Sequence, residues 1–152
     1  MNIKSSPIYF YVQRNTDGFN TARIPIPFDV ERLNVGGAMN LTSGKFTAPL
    51  NEIYAFSFTG RMNLPGSSSG VYFFVDMYLN GNQISAGRAD HCGANGQSDT
   101  FSFHSTLNLQ NEDQIWLEIS QMSTGTYLTG ALYTQFSGYL LEENILQSFR
   151  EM

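Results

Sequence analysis

The chain has 152 residues, of which 41% are hydrophobic, 14% aromatic and 14% charged, with a net charge of −5. One core usually serves about 100–200 residues, so a single domain is expected. Low charge with high aromatic content excludes disorder, and the scarcity of Glu, Lys and Ala excludes helical bundles and coiled coils. With 14 Gly, 12 Phe and 8 Tyr, the composition is that of an all-β domain.

The acidic balance argues against nucleic acid or an anionic membrane surface as partner, since both require a basic patch. No apolar run approaches the ~20 residues of a membrane-spanning helix, so no membrane insertion is expected. Met1-Asn2-Ile3-Lys4 is not followed by the apolar stretch of a secretory signal. Cys92 is the single cysteine, which rules out a disulfide framework and a multi-cysteine zinc site.

In chain order, residues 1–6 form a short lead and residues 7–13, centred on Ile8 to Val12, form the first strand. Turn signals follow at Val35-Gly36-Gly37 and Thr42-Ser43-Gly44. Tyr54, Phe56 and Phe58 then alternate with Ala55, Ser57 and Thr59, the period-two pattern of a half-buried strand. Residues 65–70, Pro-Gly-Ser-Ser-Ser-Gly, read as a loop. Residues 71–79 carry Val71, Phe73, Val75, Met77 and Leu79 on one face and Tyr72, Phe74, Asp76 and Tyr78 on the other. A strand apolar on both faces must be covered on both, and a subunit neighbour is the expected cover. Asn80-Gly81 predicts a hairpin with a type I′ turn. After a glycine-rich stretch at 93–98, strands are predicted at 101–109, 114–121 and 131–141. Residues 142–152 form a tail that places Ile145, Leu146 and Phe149 on one side of a short helix. Roughly nine or ten short strands, with turns every 8–12 residues, predict a β-sandwich or jelly roll.

Phe28, Asn34, Met39, Phe46, Glu52, Tyr54, Phe56 and Phe58 stand, without a gap, at the spacings of a known signature. It resembles that of the C1q globular domain, in the C1q and tumour-necrosis-factor-like superfamily. Met39 replaces an aromatic or Leu, a tolerable core exchange. Glu52 replaces a Gly, so the turn before Tyr54 is expected not to need positive φ. Tyr78-Leu79-Asn80-Gly81, Leu107-Asn108-Leu109, residues 113–117 (Asp-Gln-Ile-Trp-Leu) and residues 136–141 (Phe-Ser-Gly-Tyr-Leu-Leu) keep the family's order. The likeness spans residues 7–141, the expected globular head. It implies an all-β jelly-roll β-sandwich of roughly ten strands, a homotrimer, and a secreted, extracellular location. There is no Gly-X-Y repeat in the chain, so a head-only protein or an excised head is expected.

Enzymatic chemistry finds little support. His91 and His104 are the only histidines, and a Ser or Cys nucleophile needs one beside it with a third group to orient it. His91 and Cys92 are adjacent and in a strand would point to opposite faces. Calcium is the better chemical expectation. Residues 86–100 read as a loop carrying Asp90 and Asp99, with amides and glycine-exposed carbonyls, part of the oxygen set a hard cation needs. The likeness to heads that bind calcium near the trimer apex points to the same two acids. Asn40-Leu41-Thr42 is a glycosylation sequon. Gly87-Arg88-Ala89-Asp90 has Ala where an integrin motif needs Gly. The resulting expectation is a non-enzymatic recognition module, a trimeric head that binds surface carbohydrates, microbial patterns or a protein receptor multivalently. The alternative is a structural trimerisation head or a signalling ligand.

Overall fold

Alternation of large apolar with small polar side chains decides the layers. In the computed structural model, which describes residues 7–142, eleven strands form two antiparallel sheets. The first sheet contains β1 (Tyr9–Arg14), β2 (Val30–Val35), β5 (Glu52–Leu64), β8 (Gln97–Leu109), β10 (Tyr127–Leu128) and β11 (Thr134–Glu142). Its strands run β8-β5-β11-β1-β2, with β10 extending the line of β11 along the far end of β5. The second sheet runs β3 (Met39–Asn40), β4 (Lys45–Thr47), β9 (Gln114–Met122), β6 (Ser67–Leu79) and β7 (Asn82–Gly93). The expected all-β jelly-roll sandwich is present, and the short β10 brings the count to eleven. The last strand, β11, lies between β5 and β1 in the middle of its sheet. Residues 1–6, and with them the lead, lie outside the described residues, as does the apolar side of the tail at Ile145, Leu146 and Phe149. Glu142 still belongs to β11.

The core is aromatic. Phe46 meets Tyr54 and Phe56 edge-on at 5.5 and 5.2 Å, and Phe10 meets Phe136 edge-on at 5.0 Å. Such pairs add about 0.5–1.5 kcal/mol each beyond the area they bury. Rings from β1, β5 and β11 thus interlock with Phe46 of the opposite sheet. The signature residues explain themselves here. Phe28, Met39, Phe46, Tyr54, Phe56 and Phe58 are all buried. Asn34 donates its side-chain amide to the Met39 carbonyl (2.7 Å), tying β2 to β3. Glu52 opens β5 opposite Leu109 and is absent from the positive-φ residues, as expected.

Two readings of the sequence are corrected. Residues 65–70 are mostly strand: β6 begins at Ser67, paired with Gly93, and a bulge follows before Val71 pairs with His91. Serines have no strand-like pattern of their own, so the ladder to β7 imposes the conformation. Residues 86–100 are likewise the end of β7 and the start of β8, separated by residues 94–96. The expectation about 71–79 also changes. Its inner face is buried in the core, but its outer face is covered largely by its own sheet. Tyr78 stacks on Trp116 at 6.2 Å, Lys45 sits over Trp116, and Arg88 lies over Phe74 at 4.7 Å. Tyr72 on that face stays 39% exposed, so the sheet covers most of the strand but not all of it.

The hairpin at Asn80-Gly81 has the predicted positive φ at both residues, 51° and 92°. Asn80 does more than turn the chain. Its side-chain oxygen accepts from Gln114 N (2.8 Å), and its amide donates to Asp113 (2.9 Å), which also accepts from Gln110 N. Two sequence motifs far apart in the chain are therefore one hydrogen-bonded unit. The Gln110 N–H and the Asn80 amide hold the Asp113 carboxyl below its ordinary range. Asn80→Ala removes these bonds and places a Cβ-bearing residue without local bonding at positive φ. The expected cost is about 2 kcal/mol, read from urea unfolding at neutral pH. A depressed carboxyl contributes stability above its unfolded pKa of about 3.9 that is lost as pH falls through the folded value. The variant should therefore lose less stability than the parent on acidification below about pH 4.

Candidate functional site

The two outer faces of the sandwich differ sharply. On the first sheet, strand pairing sets outward-facing side chains in rows. One row is Leu33, Tyr11, Ser137, Ser57 and His104; the next is Val35, Tyr9, Tyr139, Ala55 and Thr106. Gln135, Thr59 and Ser102 continue the pattern. None of these is charged, but Arg61 follows Thr59 in the same outward alternation, opposite Thr100, and Arg32 of β2 donates from Nε to Gln13 on this face (2.7 Å), so two arginines stand at its edge. Tyr139 is 50% exposed and Leu33 48%, and Tyr9, Ile53 and Leu141 are also exposed. Small residues at the centre (Ala55, Ser57, Ser137) leave the middle flat while aromatic and aliphatic groups frame it. A largely uncharged face of this kind is a candidate interaction surface.

The second sheet's outer face is polar and charged. Asp76 lies opposite Glu118 on one side and Ala86 on the other. It is only 6% exposed although it points away from the core. Burial pushes its carboxyl above the ordinary range and the Glu118 charge adds to this, while Ser120 and Tyr78 favour the charged form. Asp76 forms part of an open cleft of about 290 Å³ with Phe74, Gln83, Arg88, Ser120 and Gln121. Sequence reasoning missed this group. The available signal was one acid inside an otherwise apolar run.

The residues singled out from the sequence are not gathered into one site. Asp90 is on β7 and Asp99 on β8, strands of different sheets. Both Asp90 oxygens accept from Arg88, at 2.6 and 2.9 Å. Among the described residues no group of three or more His, Cys, Asp or Glu side chains could hold a metal ion. Asp90 is thus already paired with a cation of its own chain. The same pair ties up the ends of the Gly87–Asp90 motif within a strand. His91 donates from Nε2 to the Asn95 carbonyl (2.5 Å), and the exposed Cys92 thiol sits against the Ser68 carbonyl (3.5 Å). They are engaged separately. His104 is exposed on the largely uncharged face. Asn40 is exposed at the end of β3, where its side-chain oxygen accepts from Ser43 N (3.0 Å).

The site geometry is thus that of a two-sheet jelly roll with one largely uncharged face and one polar face. The model of the C1q domain matches residues 9–141, and the chain belongs to that family. Among curated proteins, it is 30% identical over 125 residues to Caprin-2 of Danio rerio, covering 79% of this chain and 12% of the relative. It is 28% identical over 131 residues to complement C1q tumor necrosis factor-related protein 3 of Homo sapiens, covering 82% of this chain and 48% of the relative. The collagen alpha-1(X) chain of Mus musculus is 29% identical over 118 residues, with 77% of this chain and 16% of the relative covered. The chain thus spans less than half the length of these relatives. In structure, it superposes on the globular domain of zebrafish complement 1qA protein with a TM-score of 0.67. That match, at 20% identity, covers 90% of this chain and 99% of the other and shows a shared fold. Members of the family are extracellular recognition or trimerising modules and are generally non-enzymatic.

The position of Asp76 makes a stability prediction. A carboxyl raised above its unfolded value opposes folding once ionised, and the penalty fades as pH falls through the folded and then the unfolded pKa. Asp76→Asn is expected to raise the urea midpoint at pH 7 and to leave it nearly unchanged at about pH 3, where both side chains are neutral.

Proposed function

We propose that this chain is the subunit of a secreted homotrimeric recognition head that binds surface carbohydrates multivalently. The observation that supports the reading is the largely uncharged face of the first sheet, with Arg32 and Arg61 at its edge. Tyr9, Tyr11, Leu33, Tyr139 and Leu141 surround a flat centre of small residues, which suits burial against second and third copies of the same chain. Assembly through that face turns the polar face outward three times. Three weak sites on one rigid head gain avidity by effective concentration, typically ~10²–10⁴-fold over one site. Asn40, exposed at a turn with a Thr two residues on, suits a glycan carrier on the secreted protein.

Ser57→Arg and Ala55→Arg each put a charge at the centre of the bare face, where burial without a partner is costly. The parent is expected to run as a trimer in light scattering coupled to size exclusion, and either variant as a folded monomer. Variants that remain trimeric would show that another surface joins the copies.

The binding half is tested by screening the purified protein against immobilised oligosaccharides, lipopolysaccharide and peptidoglycan, in calcium and in EDTA. Saturable binding that competes with free glycan is expected. It should survive EDTA, because Arg88 already neutralises Asp90; loss in EDTA would support a calcium site at Asp90 and Asp99. A blank panel in both buffers would sink the carbohydrate reading. It would favour a protein receptor or a structural trimerisation head, the latter in keeping with the likeness to a collagen chain.

A further inference from the structure

Asp76 is bracketed by irregularities on both of its neighbours. On the β9 side the register slips between Phe74 and Val75: Phe74 pairs with Gln121 and Val75 with Ile119, leaving Ser120 as the extra residue. On the β7 side it slips between Met77 and Tyr78, where Ser85 is followed in the pairing by Gln83. Bulges are kept where a side chain must be re-aimed. Here one of them sets Ser120 beside a carboxylate that Glu118, directly across the ladder, already disfavours. Like charges opposite one another cost the fold stability, and no cation is among the groups that set the ionisation of Asp76.

The surrounding geometry makes a recess. Ala86, the partner of Asp76 on β7, is too small to fill the middle row. The row above is Arg88, Phe74 and Gln121, and the row below includes Gln83 beside Tyr78. The Arg88 guanidinium is fixed from two sides, by Asp90 through Nε and Nη2 and by the Phe74 ring beneath it. Its third nitrogen, Nη1, is not used in the Asp90 pair and carries two further donors. The two glutamines are exposed, and each amide offers a donor and an acceptor.

From this arrangement we infer that the recess formed by Phe74, Asp76, Gln83, Arg88, Ser120 and Gln121 is a subsite for a single neutral sugar ring. Adjacent hydroxyls each donate and accept, which matches a carboxylate, two amides, a hydroxyl and a guanidinium set within about 290 Å³. An anion would face Asp76 and Glu118, and a cation would face Arg88, so the mixed set favours an uncharged polyhydroxyl ligand. The Phe74 ring, beneath the Arg88 guanidinium, supplies an apolar wall. The inference rests on the carbohydrate reading above and locates it on the face that assembly leaves outward.

The test uses the full chain, with methyl glycosides of common hexoses and N-acetylhexosamines as probes, followed by backbone amide shifts and by the immobilised oligosaccharide panel. Millimolar, saturable shifts are expected at Phe74, Asp76 and Gln121. Gln83→Ala with Gln121→Ala, both at exposed positions, should weaken binding at least tenfold while trimer size and urea midpoint stay unchanged. Asp76→Asn should weaken it while raising stability at pH 7. Glycan binding by the parent that these variants leave intact would overturn the subsite and preserve the carbohydrate reading. A parent that binds neither the glycosides nor the panel would overturn both.

Discussion

The interlock of Phe10, Phe56 and Phe136 from one sheet with Phe46 from the other is the contact on which the sandwich depends. Those rings hold the sheets in one relative position, because edge-on and tilted aromatic pairs tolerate little sliding. Once they are set, strand alternation determines which residues must face outward. The bare face of one sheet and the recess on the other are consequences of the same register.

Sequence patterning reveals the layers because period-two alternation and aromatic burial leave direct marks. Tyr54, Phe56 and Phe58 are legible as core, and Asn80-Gly81 as a turn, since each depends on local chemistry. Ser67-Ser68-Ser69 and the start of β8 are not legible, since their strand conformation comes from ladder partners distant in the chain. The same limit hides the recess. Asp76, Gln83 and Gln121 are unremarkable in sequence and meet only through two register slips. The cover on the outer face of β6 is hidden for a different reason: Trp116, Lys45 and Arg88 reach it from other strands, so a strand that reads as needing a neighbour is largely satisfied within its own sheet.

That difference between the faces carries the functional argument. Phe74 and Tyr78 on β6 are covered by Arg88 and Trp116, whereas Tyr72 of that strand and Tyr9, Leu33 and Tyr139 of the first sheet are exposed. The membership of the C1q family and the bare face are independent observations with the same direction.

The place of β11 also bears on how the protein is made. Phe136 completes the ring cluster, and its strand fits between β5 and β1. During vectorial synthesis, β1 and β5 emerge with their shared neighbour still missing, and the first sheet stays split with half of its aromatic interior open. The first sheet therefore closes only once residues 134–142 have emerged, whatever order its other strands pair in.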